Sequence, residues 1–126
     1  MQLIENEPVM YLIVNKELGM RPGKIGAQTG HAVAGILFKY YKSGKTLTQN
    51  KKLVFEKWAG GGNAKIVLKA NSEEWVQLKK FIDWDTDFIV RDEGRTQIES
   101  GSETVIGIFP MSKNETPAII KNMSLL

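Results

Sequence analysis

The chain of 126 residues carries 17 basic and 14 acidic residues, for a formal net charge of +3, with one histidine and no cysteine. This length predicts a single domain over residues 1–126, and the residue counts exclude a disulfide framework, a thiolate metal site and a histidine-based zinc cluster. The mildly basic balance permits a polyanionic partner without requiring one.

The start of the chain and its apolar runs predict the compartment. Glu5 and Glu7 precede any apolar run, unlike the start of a secretory signal. The longest apolar block near residues 32–38 is far too short to span a bilayer. We therefore expect a cytoplasmic protein that does not enter a membrane.

The first predicted elements are a strand and a long helix. Residues 9–14 form an apolar run rich in β-branched side chains, which is typical of a central strand buried on both faces. A loop over residues 15–23 then leads into a helix that starts at Pro22 and ends at Ser43-Gly44.

Two sides of this helix suggest packing. At about 100° per residue, one side collects core-forming residues, namely Ile25, Thr29, Ala32, Val33, Ile36 and Tyr40. A second side is bare, and it consists of Gly26, Ala27, Gly30 and Ala34. Because interior glycines weaken a helix, we expect another backbone to approach this bare side closely.

The third side of the helix is the candidate functional side. Lys24, Gln28 and His31 recur at helical spacing, and Lys24 lies in the first turn, where unpaired N–H groups favour an anion. The alternative is a solvated polar edge, which is common on amphipathic helices. For His31 taken alone, a hydrogen-bonded packing role is the stronger interpretation.

The remaining elements alternate between helices and strands. We predict a helix over residues 51–59 capped by residues 48–50, a strand over 64–70, a helix opened by residues 71–74, strands over 86–90 and 104–109, and a short helix from Pro117 to Met123. Trp75, Leu78, Phe81 and Ile82 of the third helical segment are expected to be core residues. The fold class is α/β, with a mixed four-stranded sheet and helices on both faces.

Two loops leave the carboxyl ends of strands with polar residues, where α/β sheets bind ligands. If the first and third strands are parallel, Asp92 and Thr96 face Lys24, Gln28 and His31. A carboxylate that activates water beside a lysine describes metal-free hydrolysis. The alternative for Asp92 is a turn residue whose side chain hydrogen-bonds to its own backbone. The alternative for Thr96 is a β-branched residue that only fills space in a loop.

A lysine-rich segment predicts a local positive patch, formed by Lys39, Lys42, Lys45, Lys51, Lys52 and Lys57. This patch would suit a nucleic acid, and a solubilising surface is the alternative.

Four blocks of sequence resemble the type 2 peptidyl-tRNA hydrolases. They are residues 23–32 (GKIGAQTGHA), 65–69 (KIVLK), 92–98 (DEGRTQI) and 101–106 (GSETVI), and they follow one another in the family's order. The resemblance implies a three-layer α/β/α fold with a four-stranded sheet of order 2-1-4-3, the fourth strand antiparallel. The closing Ser124-Leu125-Leu126 is also similar to the family's end.

The resemblance also implies an activity, which is hydrolysis of the ester between a peptide and the 3′ end of tRNA, without metal or cofactor. It places functional residues at Lys24, Gln28, Asp92 and Thr96, with His31 nearby. Peptidyl-tRNA is the implied partner, and a homodimer is expected by analogy. A catalytically weak relative that binds tRNA or another partner through the same basic rim is the alternative.

Three positions depart from the family's usual pattern. Gly26 stands where alanine is usual, Glu93 where a small residue usually follows the aspartate, and Phe109 where glycine usually precedes the proline. A second carboxylate beside Asp92 adds negative charge near a site for a polyanion.

Overall fold

The computed structural model describes residues 7–93 and 101–126. Their elements follow the predicted alternation of strands and helices. In chain order they are β1 (Pro8–Asn15), α1 (Pro22–Ser43), α2 (Gln49–Gly61), β2 (Lys65–Ala70), α3 (Ser72–Lys79), β3 (Phe88–Arg91), β4 (Glu103–Ser112), α4 (Ala118–Lys121) and β5 (Ser124–Leu125).

The strands form one mixed sheet in the order β3-β4-β1-β2-β5. β1 pairs parallel with β2 and antiparallel with β4, which also pairs antiparallel with β3. The expectation of four strands is wrong, because β5 adds an edge strand beside β2 through Leu125 and Ser124. Two residues are too few to produce an alternating pattern that a sequence could reveal. The other four strands stand in the expected order 2-1-4-3 when read from the β2 side, and β4 is antiparallel to its neighbours.

Helices cover both faces of the sheet, as predicted. On one face, α3 and α4 contribute Trp75, Leu78 and Ile120 to a core that includes Tyr11 and Ile13 of β1. The opposite core combines residues from α1 and α2 with the alternate side chains of β1, which are Met10, Leu12 and Val14. β1 is thus buried on both faces, which explains its continuous apolar run.

Phe81 departs from its predicted core position. The third helix ends at Lys79, two residues before it, and the Phe81 side chain is 64% exposed.

Among the described residues, no helix combines the length and the apolar character required to cross a bilayer.

The bare side of α1 is not covered as expected. A Cβ atom added at Gly26 or Gly30 would meet no neighbouring atom within 4 Å. The close approach occurs instead at Gly35, where an added Cβ would lie 2.5 Å from the ring of Phe88. The glycine that packing requires therefore lies on the side of α1 that faces β3. An alanine at Gly26, as is usual in the family, would fit this structure.

These two environments predict opposite effects of the same substitution. Gly35→Ala should lower the free energy of unfolding by about 1–2 kcal/mol, because overpacking against Phe88 outweighs the gain in helix propensity. Gly30→Ala is the matched control, and it should raise that energy by about 0.5–1 kcal/mol. Urea unfolding of both variants measures the difference. Equal shifts in the two variants would contradict the packing seen at Gly35.

β4 continues through Pro110, where the sequence predicts its end. The register with β1 shifts between Val9 and Tyr11, so a bulge accommodates a proline that could not donate to the ladder. The N–H of Phe109 donates to Asp87 Oδ1 at 2.7 Å, while Asp87 Oδ2 accepts from the N–H of Asp83 at 2.8 Å. Asp87 therefore holds the bulge in place.

The Phe109 side chain fills core space. Its ring lies 5.6 Å from the ring of Phe55 and 6.2 Å from that of Tyr40, measured between centroids. This departure from the family's usual glycine therefore packs between α1 and α2, within the core cluster of their face of the sheet.

Candidate active site

The sheet topology brings two predicted loops to one rim. Because β1 and β3 both run antiparallel to β4, they are parallel to each other, and their carboxyl ends share an edge of the sheet. The chain leaving β1 enters α1 at Pro22, and Asp92 follows β3 directly. This is the arrangement that the sequence analysis required for a shared site.

Lys24 and Asp92 form an ion pair at this rim, between Lys24 Nζ and Asp92 Oδ1. Their side chains are 14% and 3% exposed, so little water screens the pair. Asp92 is also fixed through its backbone, since its N–H donates to the Ser102 carbonyl at 2.9 Å and its carbonyl accepts from Gly101 at 2.7 Å. The interpretation of Asp92 as only a turn residue therefore leaves its buried charge unexplained.

Lys24 projects from the first turn of α1. Pro22 occupies the first helical position, which its fixed backbone angle favours, and Arg21 is the N-cap residue without a side-chain cap hydrogen bond. The positive end of the helix and the Lys24 ammonium therefore lie at the same place. Both favour an ionised Asp92 or an incoming anion.

Gln28 is buried one turn further along α1. Its side chain is 5% exposed, and its Oε1 accepts a hydrogen bond from Thr104 Oγ1 at 2.6 Å. A solvated polar edge is therefore the wrong description of Gln28. His31, in contrast, is exposed and lies on the wall of the cleft beside this pair.

An open cleft of about 1350 Å³ lies in front of these residues. Its lining includes Lys24, Gln28, His31 and Asp92, followed by a mostly apolar wall formed by Ala34, Gly35, Phe38 and Phe88. Arg21, Arg91 and Glu93 also line it, so charges of both signs stand at the opening. The predicted residue Thr96 lies outside the described residues.

Glu103 fixes the start of β4 beside this cleft. Its carboxylate accepts from Lys79 at 2.8 and 2.9 Å, from Trp75 Nε1 at 3.1 Å and from Arg91 at 3.1 Å. Burial would raise the pKa of Glu103, but the hydrogen bonds from Lys79 and Trp75 outweigh it and hold the pKa below its usual value. Thr104, the next residue, is thereby held in register.

Sequence reasoning missed Arg21 and Phe88 in the cleft lining and Thr104 behind it. Thr104 was expected only as the start of a strand, although it belongs to a block that resembles the family. Arg21 lies in a predicted loop and Phe88 inside a predicted strand, and neither carries a motif, so their place in the lining follows only from tertiary packing. A polar residue at the first position of a buried strand was the one available signal for Thr104.

The lysine-rich segment is partly engaged within the protein. Lys39 Nζ donates to the carbonyls of Trp84 and Asp87 at 2.8 and 2.6 Å, and Lys51 pairs with Asp83 at 2.7 Å. Lys42, Lys45 and Lys57 are exposed. Within residues 7–93 and 101–126, no three acidic, histidine or cysteine side chains are grouped as a metal site requires.

Fold and site together define an α/β protein with a buried lysine–aspartate pair and an amide at the carboxyl rim of a mixed sheet. The family model for peptidyl-tRNA hydrolase PTH2 matches residues 8–126, and the chain belongs to this family.

Curated relatives agree with this assignment. The chain is 39% identical over 117 residues to a protein of Dictyostelium discoideum named probable peptidyl-tRNA hydrolase 2, and the match covers 90% of this chain and 52% of the relative. A protein of the same name from Schizosaccharomyces pombe is 37% identical over 111 residues, covering 86% and 51%. The peptidyl-tRNA hydrolase of Methanococcus vannielii is 33% identical over 119 residues, covering 91% and 96%. The chain thus spans about half the length of the first two relatives and nearly all of the third.

Proposed function

We propose that this protein hydrolyses the ester bond between peptide and tRNA in peptidyl-tRNA, releasing tRNA for reuse. Membership in the PTH2 family and the names of its relatives support this reaction. The observation that carries the proposal is the buried Lys24–Asp92 pair in the cleft, because such a pair supplies both a base and a charge that keeps the base ionised.

In the proposed reaction, water attacks the acyl carbon of the ester. The Asp92 carboxylate accepts a proton from that water as the new C–O bond forms, and negative charge develops on the former carbonyl oxygen. Lys24 balances the charge of Asp92, and Gln28 and Thr96 hold the carbonyl oxygen or the terminal ribose. The carbonyl then re-forms as the ester C–O bond breaks, and the ribose oxygen takes the proton from Asp92 and leaves as a hydroxyl group, so that Asp92 is again a carboxylate. The steps use water and side chains without a metal, and His31, which lines the cleft, would contact the substrate.

A second candidate is a catalytically weak relative that binds tRNA through the same rim. Glu93, directly after Asp92, is the observation behind this candidate, because a second carboxylate beside the Lys24–Asp92 pair lowers activity if it disturbs that pair. The two candidates differ in whether bound tRNA is released from its peptide.

Incubation of the protein with an N-acetylated aminoacyl-tRNA tests both candidates. We expect release of the N-acetylated amino acid, with weaker tRNA binding as salt rises, since phosphate contacts release counterions. Unblocked aminoacyl-tRNA is the matched control substrate. Salt-dependent binding without release would instead support the tRNA-binding candidate, and neither binding nor release would contradict both.

Two further expectations belong to this proposal. We place the reaction in the cytoplasm, because translation there generates peptidyl-tRNA. The homodimer expected from the resemblance stays a prediction, and the molar mass in solution tests it.

A further inference from the structure

Thr104 lies against the candidate site without reaching the cleft surface itself. Its side chain is fully buried at 0% exposure, and it is the second residue of β4, directly after the anchored Glu103. Its Oγ1 lies 2.6 Å from Gln28 Oε1 and 3.3 Å from the carbonyl oxygen of Val90. A buried hydroxyl has a single proton, so it donates a hydrogen bond to only one of two oxygen neighbours at a time.

The hydrogen bonds of the structure give that choice. The Thr104 hydroxyl donates to Gln28 Oε1, and 2.6 Å is an ordinary length for a hydrogen bond between two oxygens. The contact to Val90 is at the long limit and is the weaker of the two.

This bond fixes the orientation of the Gln28 amide. With Oε1 turned toward Thr104, the NH₂ group is the part of the amide that remains available to donate a hydrogen bond in the cleft, which Gln28 lines. Gln28 also lies one helical turn from Lys24, so both side chains stand on the same side of α1. An amide NH₂ can donate to a carbonyl oxygen, and its donation strengthens as negative charge develops there.

We propose that Thr104 is a positioning residue that locks the Gln28 amide with its NH₂ group toward the cleft, as the hydrogen-bond donor to the carbonyl oxygen of the scissile ester. This assignment rests on the proposed hydrolase function. It assigns Gln28 to the carbonyl oxygen, on which negative charge develops when water adds to the ester.

Three variants test the proposal through kinetics on N-acetylated aminoacyl-tRNA. Thr104→Val keeps the shape of the side chain but cannot donate, and we expect kcat to fall by about 10- to 100-fold with little change in KM. Thr104→Ser keeps the hydroxyl and should stay within about threefold of the wild type. Gln28→Met should lower kcat by about 100-fold, the loss typical of one such donor.

The double variant separates positioning from a general structural effect. If Thr104 acts only through Gln28, Thr104→Val should cause no further loss of kcat in the Gln28→Met background. An equal further loss in that background, or wild-type kcat in Thr104→Val alone, would overturn the proposal. Urea unfolding midpoints of all variants confirm that the comparisons concern folded protein.

An NMR measurement tests whether Thr104 holds the orientation of the Gln28 amide, and it does not depend on activity. If the wild type releases no peptide, only the proposed hydrolase function is contradicted. The side-chain NH₂ signals of Gln28 are identified by their loss in Gln28→Met. In the wild type and Thr104→Ser we expect two sharp, well-separated signals, and in Thr104→Val we expect them to shift and broaden as the amide reorients. Unchanged Gln28 signals in Thr104→Val would refute the lock.

Discussion

Lys24→Ala is expected to lower kcat for N-acetylated aminoacyl-tRNA by at least about 100-fold, within the range that general acid–base groups contribute. The reason lies in the pairing of Lys24 with a carboxylate that is 3% exposed. Without the ammonium group, the buried Asp92 carboxylate loses one charge that favours its ionised form, and burial opposes that form. A neutral carboxyl group cannot accept a proton from water.

Asp92→Asn should cause a similar loss of kcat, since the amide has no basic oxygen of comparable strength. Asp83→Asn is the matched control, because Asp83 also pairs with a lysine, Lys51, but its side chain is 44% exposed and lies outside the cleft lining. We expect the control to keep the wild-type kcat. A folded Lys24→Ala protein with full activity would refute the proposed role of the pair.

Asp87→Ala is expected to lower the free energy of unfolding by about 2–4 kcal/mol, because two N–H groups lose their acceptor. One of these groups, that of Phe109, is buried at the β4 bulge, and the other belongs to Asp83. Urea unfolding measures the change. Asp85→Ala is the matched control in the same turn, since this aspartate is exposed, and its change should stay within about 0.5 kcal/mol.

Asp87 also predicts a pH dependence. Burial raises the pKa of Asp87 above its usual value of 3.8, although the N–H groups of Phe109 and Asp83 oppose this. The folded state therefore holds this proton more tightly than the unfolded chain. The stability that this group contributes is present at pH below 3.8 and is lost as pH rises through the folded-state pKa. Asp87→Asn should lack this component, and an identical pH profile for the wild type and Asp87→Asn would contradict it.

The fold was largely predictable because its strongest patterns are local. The apolar run of β1, the capping residues Thr48 and Asn71, and Pro22 at the start of α1 all act within a few residues of where they stand. β5 was missed because its two residues are defined by their pairing with β2 rather than by their own pattern. The close contact at Gly35 was likewise assigned to the wrong glycines, since helical spacing does not say which side a distant strand covers.

The site was predictable to the extent that topology places residues at one rim. Parallel strands β1 and β3 bring Lys24 and Asp92 together, as expected from their order in the chain. The spacing of α1 placed Gln28 beside Lys24 but left open whether it was solvated, because burial depends on Thr104 from a different strand. The roles of Lys24, Gln28, His31, Asp92 and Thr96 in catalysis stay predictions.

The ion pair joins residues 68 positions apart. β1, which leads to Lys24, and β3, which leads to Asp92, are not neighbours in the sheet, because β4 lies between them. A slip of β4 by one residue would turn Thr104 to the opposite face and displace β3 together with Asp92. The candidate site is therefore a property of the completed sheet, and an intermediate that forms α1 early in folding gains none of it. Recovery of activity during refolding would report the final alignment of the central strands.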